Sequence, residues 1–189
     1  MPHFTKTRSL TLILIFFGFI FISGCLAVGN FSPSLNKGEN IIIQDENFTE
    51  DIDLTQELEF HPSVPGVMKA VVDGNMVFKN CQFYKFSAHT QKDGKTYIIE
   101  FRGDVVFDGC TFRDSARFDY AIFQGSFYAE SSEFMEMASF SNAHFEGRNT
   151  IFSQAVFYSK ARFPDATFAN DVKFFKTRFH DTAMFQSAV

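Results

Sequence analysis

Residues that could carry catalysis are few and lie far apart along the chain. Four histidines follow the N-terminal segment: His61, His89, His144 and His180. None has a second histidine or a cysteine at the short spacing that zinc sites use, so each is expected to be a surface residue. GxSxG, HExxH and glycine-rich phosphate-binding motifs are also absent from the sequence. We therefore expect no enzyme activity, no cofactor and no metal site.

Three aspartates near the C-terminal end fall at predicted turns: Asp165, Asp171 and Asp181. Aspartate commonly hydrogen-bonds to the backbone of a turn, so a structural role is the expectation. Pectin-degrading enzymes, which fold as right-handed parallel β-helices, instead cluster carboxylates in long loops. Because this sequence has a single predicted loop insertion, a carbohydrate-binding or carbohydrate-active β-helix protein is only the alternative function.

Cys25 is placed for a different chemistry, the attachment of a lipid. Lys6 and Arg8 precede an apolar segment, Leu10 to Ile22, which ends in small residues as a secretory signal peptide does. The stretch ISGC that ends at Cys25 resembles the lipobox of bacterial lipoproteins, in which the cysteine becomes the lipidated first residue of the mature chain. The resemblance implies a protein of the bacterial cell envelope, anchored to a membrane through Cys25 and facing the periplasm or the exterior.

An uncleaved membrane anchor is the alternative interpretation of the same segment, because Leu10 to Val28 is 19 residues long. Gly18 and the Ser-Gly-Cys ending favour cleavage, since these residues are poor choices for a spanning helix. The predicted signal peptide is therefore residues 1–24. Residues 25–40 are rich in Gly, Ser, Pro and Asn and are predicted to form a flexible tether.

The charge of the chain argues against a nucleic-acid partner. The formal net charge is −5, from 17 basic and 22 acidic residues. Removal of the predicted signal peptide would take away Lys6 and Arg8 but no acid, which leaves 15 basic residues and a net charge of −7. Nucleic-acid-binding domains carry a basic surface, so this class is excluded.

Phenylalanine recurs with a regular spacing in the C-terminal part of the chain. Of 189 residues 28 are Phe, while Trp is absent. In KARFPDATFANDVKFFKTRFHDTAMF, residues 160–185, the repeated Phe residues are separated alternately by five and six positions. A small or β-branched residue stands two positions before each of them. An amphipathic helix would need steps of three and four, so each unit is predicted to be a short extended segment followed by a turn.

Units such as ARFPDATF, ASFSNAHF and ARFDYAIF are similar to those of the pentapeptide-repeat family, in its Phe-centred variety. The resemblance implies an all-β fold, a right-handed quadrilateral parallel β-helix with one unit per side, assigned to residues 74–189. Residues 41–73 are predicted to be an N-terminal strand or cap. Some family members resemble DNA and bind topoisomerases, but the near balance of acids and bases in these repeats disfavours that role.

With 22 residues per coil, successive coils would place their rings in a column on the same side of the β-helix: Phe118, Phe140, Phe163 and Phe185. Such rings would be about 4.8 Å apart. The spacing requires one extra residue near Gly147. Ala129 stands where the next Phe is expected, with Phe127 displaced, and this predicts a bulge. Phe163 and Phe168 are expected to be fully buried.

The stretches GNMVFKNCQF and GDVVFDGCTF, 29 residues apart, place Cys81 and Cys110 at matching positions. They predict close but reduced thiols on adjacent coils. Between them, Asp93-Gly94 predicts a hairpin inserted near residues 86–100, whose Lys92 to Lys95 turn is the best local candidate for a partner contact. The function expected from the sequence is a membrane-anchored, non-enzymatic scaffold or protein-binding module whose partner is an unknown envelope protein or glycan.

Overall fold

The computed structural model describes residues 12–16, 19–23 and 32–189, with side chains from residue 33 onwards. The chain winds as a four-sided column, in which short parallel strands of successive coils pair to form four sheets. Between Asn40 and Met184 there are five complete coils and three sides of a sixth. The predicted all-β quadrilateral β-helix is therefore confirmed.

The elements that precede or cap the column are β1 (Leu12–Phe16), β2 (Phe19–Ser23) and α1 (Ser32–Asn36). The first coil contains β3 (Asn40–Gln44), β4 (Asn47–Phe48), β5 (Ile52–Asp53), α2 (Leu54–Glu57), β6 (His61–Val64) and β7 (Val67–Val72). The second coil contains β8 (Met76–Lys79), β9 (Gln82–Phe83), β10 (Phe86–Ser87), β11 (Thr90–Lys92) and β12 (Lys95–Phe101). Neither helix in the described part of the chain is long and apolar enough to cross a membrane.

The third coil contains β13 (Val105–Asp108), β14 (Thr111–Phe112), β15 (Ala116–Arg117) and β16 (Ile122–Phe123). The fourth contains β17 (Phe127–Tyr128), β18 (Glu133–Phe134), β19 (Ala138–Ser139) and β20 (His144–Phe145). The fifth contains β21 (Thr150–Ile151), β22 (Val156–Phe157), β23 (Ala161–Arg162) and β24 (Thr167–Phe168). The sixth contains β25 (Val172–Lys173), β26 (Arg178–Phe179) and β27 (Ala183–Met184).

The four sheets are named faces 1 to 4 in the order in which the chain visits them. Face 1 is β1-β2-β3-β8-β13-β17-β21-β25, and face 2 is β4-β9-β14-β18-β22-β26. Face 3 is β5-β10-β15-β19-β23-β27. Face 4 is β6-β7-β12-β16-β20-β24, with β11 paired to β12. Pairs within the column are parallel, whereas β1–β2, β6–β7 and β11–β12 are antiparallel.

Stacked phenylalanine rings fill the column. On face 3 the ring of Phe118 stacks on that of Phe140 at 5.1 Å between centroids, and Phe163 stacks on Phe185 at 4.8 Å. The predicted column of four rings is therefore confirmed. Face 2 carries a continuous stack of six rings: Phe48, Phe83, Phe112, Phe134, Phe157 and Phe179. Parallel strand spacing brings such rings into the offset contact that aromatic side chains favour.

Backbone conformation at the corners explains the alternation of five and six residues. At the five-residue corners after faces 1 and 3, the residue two positions after the central one has a positive φ of 52° to 62°. These residues are Asp45, Asn80, Gly109, Tyr120, Ser131, Asn142, Gln154, Asp165, Lys176 and Ser187. A residue in the left-handed conformation turns the chain sharply from one face to the next. The corners after faces 1 and 3 therefore need one residue fewer than the corners after faces 2 and 4.

Phe127 keeps the regular register of face 1, and the predicted bulge is wrong. Phe127 pairs with Val105 below and Thr150 above without a shift. It therefore occupies the small-residue position, while Ala129 occupies the position of the central ring. Both side chains are buried. The two residues have exchanged places, so the ring still enters the core and the backbone need not deform.

The column begins earlier than the sequence pattern indicates. Residues 40–72, expected to be a strand or cap, form a complete first coil in register with the second. Its core positions hold aliphatic residues such as Ile43 and Leu54, so the Phe rule does not detect it. Part of the predicted tether is also ordered, because α1 buries Leu35 against this coil. Gly38, with a φ of 71°, ends α1.

The last coil leaves the core partly open. Phe163 is buried as predicted, together with Ala161 and Ala166, but Phe168 is only partly buried because no further strand covers face 4. Phe179 and Phe185 are 36% and 41% exposed. The expectation that Phe168 is fully buried is therefore wrong.

Cys81 and Cys110 occupy equivalent positions on neighbouring coils, as the repeat predicts. The N–H of Thr111 donates to the carbonyl of Cys81, and both thiols are free and fully buried. Each Sγ contacts a carbonyl oxygen of the preceding coil, Ile43 O at 3.6 Å and Phe78 O at 3.4 Å respectively. The hydrogen bond with the adjacent Cys81 thiol and burial together raise the pKa of Cys110, so the protonated thiol is favoured.

Candidate functional site

Most side chains that could take part in catalysis or metal binding are far apart in the folded chain. His61 lies on β6, His144 on face 4 and His180 beside face 2, all exposed. In the part of the chain that the structure describes, no group of three His, Cys, Asp or Glu side chains could hold a metal ion. Cys25 lies outside the described residues.

The aspartates predicted at turns do lie at corners. Asp165 has a φ of 57° in a five-residue step. The N–H of Thr182 donates to the carboxylate of Asp181 at 2.6 Å, and this bond lowers the pKa of that carboxyl. Asp171 is exposed between faces 4 and 1. These positions match the predicted structural role.

A small sheet projects from the corner between faces 3 and 4, and we call it the projecting sheet. It consists of β6, β7, β12 and β11, in that order. The predicted hairpin is confirmed: Thr90 pairs with Tyr97, and the turn residues Asp93 and Gly94 have φ values of 52° and 70°. Positive φ at both positions is the geometry that matches strand twist in a two-residue hairpin.

The hairpin of β6 and β7 in the first coil, which the sequence analysis missed, stacks against the predicted one. Pro65-Gly66 turns this hairpin, and Gly66 has a φ of 82°. Six residues of β7 pair with β12, from Val67–Thr96 to Val72–Phe101. The Pro-Gly dipeptide was the available signal, since it marks a turn between two extended segments.

A charge network ties the two hairpins together at the base of the projecting sheet. Lys69 Nζ donates to Glu100 at 2.7 Å, and Arg102 donates to both Glu100, at 2.9 Å, and Asp73, at 3.0 Å. Burial raises the pKa of Glu100, but the hydrogen bonds from Lys69 and Arg102 outweigh it and hold the pKa below its ordinary value. The tip is exposed, with Val64 59% accessible.

A groove of about 480 Å³ lies beside the projecting sheet, on face 3. One wall comes from the first coil and is acidic: Glu50, Asp51, Asp53 and Glu57. The other comes from the second and third coils and carries Lys85, His89 and Arg117. The groove is therefore dipolar, with the two signs on different coils.

Two of the four carboxylates in this groove are already engaged by neighbouring groups. Asp51 lies 3.5 Å from the ammonium of Lys85. Asp53 caps α2, accepting from the N–H and hydroxyl of Thr55 at 3.0 and 2.7 Å. Four carboxylates therefore do cluster on one face, which is the arrangement expected of a carbohydrate-active protein, and two of them, Glu50 and Glu57, remain for a ligand.

His89 lies at the inner end of the basic wall. Its Nδ1 is 4.0 Å from the carboxylate of Asp119, and Nε2 is buried without a hydrogen-bond partner among the described residues. Burial lowers the pKa of His89, and Arg117 adds to the effect against the opposing charge of Asp119. The neutral form of the His89 imidazole is therefore favoured.

A second exposed feature follows the corner after face 2, where long side chains lie one above another. They are Tyr84, Arg113, Met135, Tyr158 and His180. The rings of Tyr158 and His180 stack at 5.1 Å. By contrast, the stacked residues at one position of face 3 vary in chemistry: Arg117, Ser139, Arg162 and Met184.

Comparison with known proteins gives one result. Residues 107–151 match the family model described as pentapeptide repeats (9 copies). No curated protein and no solved structure matches the chain. The matched segment covers most of the third coil, the fourth coil and the first strand of the fifth.

Proposed function

Because the chain is built on pentapeptide repeats, we propose that it is a non-enzymatic scaffold, held at the bacterial envelope by a lipid on Cys25, which binds a partner protein through its projecting sheet. The observation that supports the proposal is the insertion that forms the projecting sheet at one corner of the column. The corner after face 3 takes five residues from Phe118 to Phe123, but thirteen from Ala88 to Phe101.

The residues added at this corner do not contribute to the ring column. β6 is exposed along its whole length, and the tip of β11 and β12 ends in Lys92 and Lys95. Partners commonly bind loops and edges that a rigid scaffold presents. A rigid column with one ordered projection therefore supports a binding role better than a catalytic one.

The envelope location is supported by the lipobox-like stretch ISGC, residues 22–25, in which the thiol of Cys25 would accept a diacylglycerol. Cleavage before Cys25 would remove β1 and β2 and leave β3 as the first strand of face 1. The residues between Cys25 and α1 would then separate the column from the membrane. The acidic mature domain would depend on the lipid for membrane attachment, because anionic membranes attract basic segments.

Labelling with radioactive fatty acid tests the anchor. The wild-type chain should incorporate label and fractionate with membranes, whereas Cys25→Ser should be unlabelled and either soluble or unprocessed. Cys110→Ala is the matched control, because its thiol is buried in the column, and it should label as the wild type does. Label on the Cys25→Ser variant would refute lipidation at this position.

Crosslinking in intact cells tests the binding role. Deletion of Thr90 to Thr96 removes β11 and its turn but keeps Tyr97 to Phe101, which complete face 4. A partner captured by the wild type should be lost from this variant while thermal unfolding stays cooperative. An unchanged set of captured proteins would show that the hairpin is only a loop insertion.

A further inference from the structure

The dipolar groove on face 3 holds charged groups that the fold does not use. The carboxylates of Glu50 and Glu57 and the guanidinium of Arg117 have no hydrogen-bond or ion-pair partner among the described residues. By contrast, the nearby Asp51 and Asp53 are paired as described above. The groove therefore presents free negative charge on the first coil and free positive charge on the third.

The two kinds of charge are separated by a definite distance along the column. Arg117 pairs with Ser87, which in turn pairs with Asp53, so Arg117 and the acidic wall are two strand spacings apart. This separation is about 10 Å between backbones. A single small ion would satisfy one wall and leave the other unpaired, whereas a ligand with opposite charges at its two ends would satisfy both.

We propose that this groove binds a short zwitterionic peptide of about three residues, because an extended chain spans about 3.3 to 3.6 Å per residue. The ammonium group of the peptide lies at Glu50 and Glu57, and its carboxylate lies at Arg117. Arginine suits the second role because its planar fork binds carboxylates through two parallel hydrogen bonds.

Ser87 lies on the coil between Asp53 and Arg117, and its hydroxyl, which donates to the carbonyl of His89 at 3.0 Å, can still accept a hydrogen bond from a ligand. Thr90 also lines the groove, and Lys85 is already paired with Asp51. His89 contributes an imidazole next to Arg117 rather than a second cation. The groove thus offers hydrogen-bonding groups for peptide amides between two oppositely charged ends. This proposal does not depend on the lipid anchor or on the binding of a partner protein by the projecting sheet.

Calorimetric titration of the full chain with trialanine tests the proposal. Trialanine should bind, and capping either end should weaken the affinity about tenfold or more, since a charge-assisted hydrogen bond is lost in each case. N-acetyl-trialanine removes the ammonium, and trialanine amide removes the carboxylate. Binding should also weaken with added salt, because the groove is open to solvent.

Variants connect each end of the peptide to its wall. Arg117→Gln should bind trialanine and trialanine amide equally, while still preferring a free ammonium. The double variant Glu50→Gln, Glu57→Gln should lose the preference for the ammonium only. Arg162→Gln is the matched control, because Arg162 lies in the same outward column two coils further on, away from the groove, and its affinities should equal the wild type's.

Four results would overturn the proposal. These are absence of trialanine binding at millimolar concentration, equal affinity for capped and free peptides, an Arg117→Gln variant that still discriminates against the amide, and binding of maltotriose in place of trialanine. The last result would identify a carbohydrate site in the same groove.

Discussion

Gly147 lies so close to Gly125 that a Cβ atom added to Gly147 would be 2.0 Å from the carbonyl oxygen of Gly125. Gly74, Gly103, Gly125 and Gly147 stack in this way on successive coils, before face 1 begins. A Cβ on Gly125 would meet the carbonyl oxygen of Gly103 at 2.2 Å. Because the obstructing atoms are backbone, no rotamer change can relieve the contact.

Gly125→Ala is therefore expected to lower the free energy of unfolding by about 3 kcal/mol or more, because the coils must separate at this corner. Chemical denaturation measures the change. Gln124→Ala, at the exposed neighbouring position, is the control and should change stability by about 0.5 kcal/mol or less. Equal stability of the two variants would contradict the close backbone approach.

Phe163 should be costly to remove from the column of rings on face 3. It stacks between Phe140 at 5.0 Å and Phe185 at 4.8 Å and is fully buried. Phe163→Ala should cost about 3 to 5 kcal/mol through the cavity it leaves. Ala161→Leu should also destabilise, by overpacking. Phe175→Ala, at a ring that is 66% exposed, is the control. Unchanged melting temperatures for both core variants would refute the packed column.

Phe127 and Ala129 should be strongly coupled. Phe127→Ala alone leaves a cavity and Ala129→Phe alone overpacks, so each single variant should be destabilised by about 1 to 5 kcal/mol. The double variant restores the usual order of small residue and ring, and it should be more stable than either single variant. A double-mutant cycle measures the coupling. Additive losses would show that the exchanged ring is not equivalent to the regular one.

Gln154 is held at a φ of 62° and its side chain is exposed. Glycine adopts this conformation without strain, whereas a β-branched residue is least tolerant of it. Gln154→Gly should leave the melting temperature equal or raise it, and Gln154→Val should lower the free energy of unfolding by about 1 to 2 kcal/mol. The reverse order would mean that the corner is not left-handed in solution.

Glu100 should make stability depend on pH in the acid range. Its pKa in the folded state is lowered, so its contribution is present above the unfolded pKa of about 4.3 and is lost as the pH falls through the folded pKa. The stability difference between wild type and Glu100→Gln should therefore shrink between pH 6 and pH 3. Lys69→Gln, which removes one donor, should weaken the same pH dependence. A constant difference would contradict the assignment.

The ring column could be predicted from the sequence because packing constrains inward residues to repeat. Phe118 and Phe140 must match in size and position, and the same constraint makes Cys81 and Cys110 coincide. The first coil escaped prediction because Ile43 and Leu54 fill equivalent space without the Phe signature. Side chains of different types can fill the same space in the core. The repeated Phe therefore identifies coils of this fold, but a coil can form without it.

The groove could not be predicted, since its residues face outward and come from three coils. Glu50, Lys85 and Arg117 are more than thirty positions apart in sequence and share no periodicity. Side chains that point outward are not constrained by packing in the core. Which of them lie next to each other depends on the lengths of the corners that connect the strands. The hairpin turn at Asp93-Gly94 was detectable because its chemistry is local, unlike that of the groove.

The extra residue after Gly147 shows how such a column tolerates changes in chain length. Thr150 still pairs in register with Phe127, although three positions separate it from Gly147 where two separate Phe127 from Gly125. The insertion is confined to one corner and does not propagate to the next coil, because each strand is positioned by the strand beneath it. Each coil in this architecture contacts only its neighbours. A gene encoding it can gain or lose whole turns, or acquire a functional loop at any corner, without redesign of the remaining core.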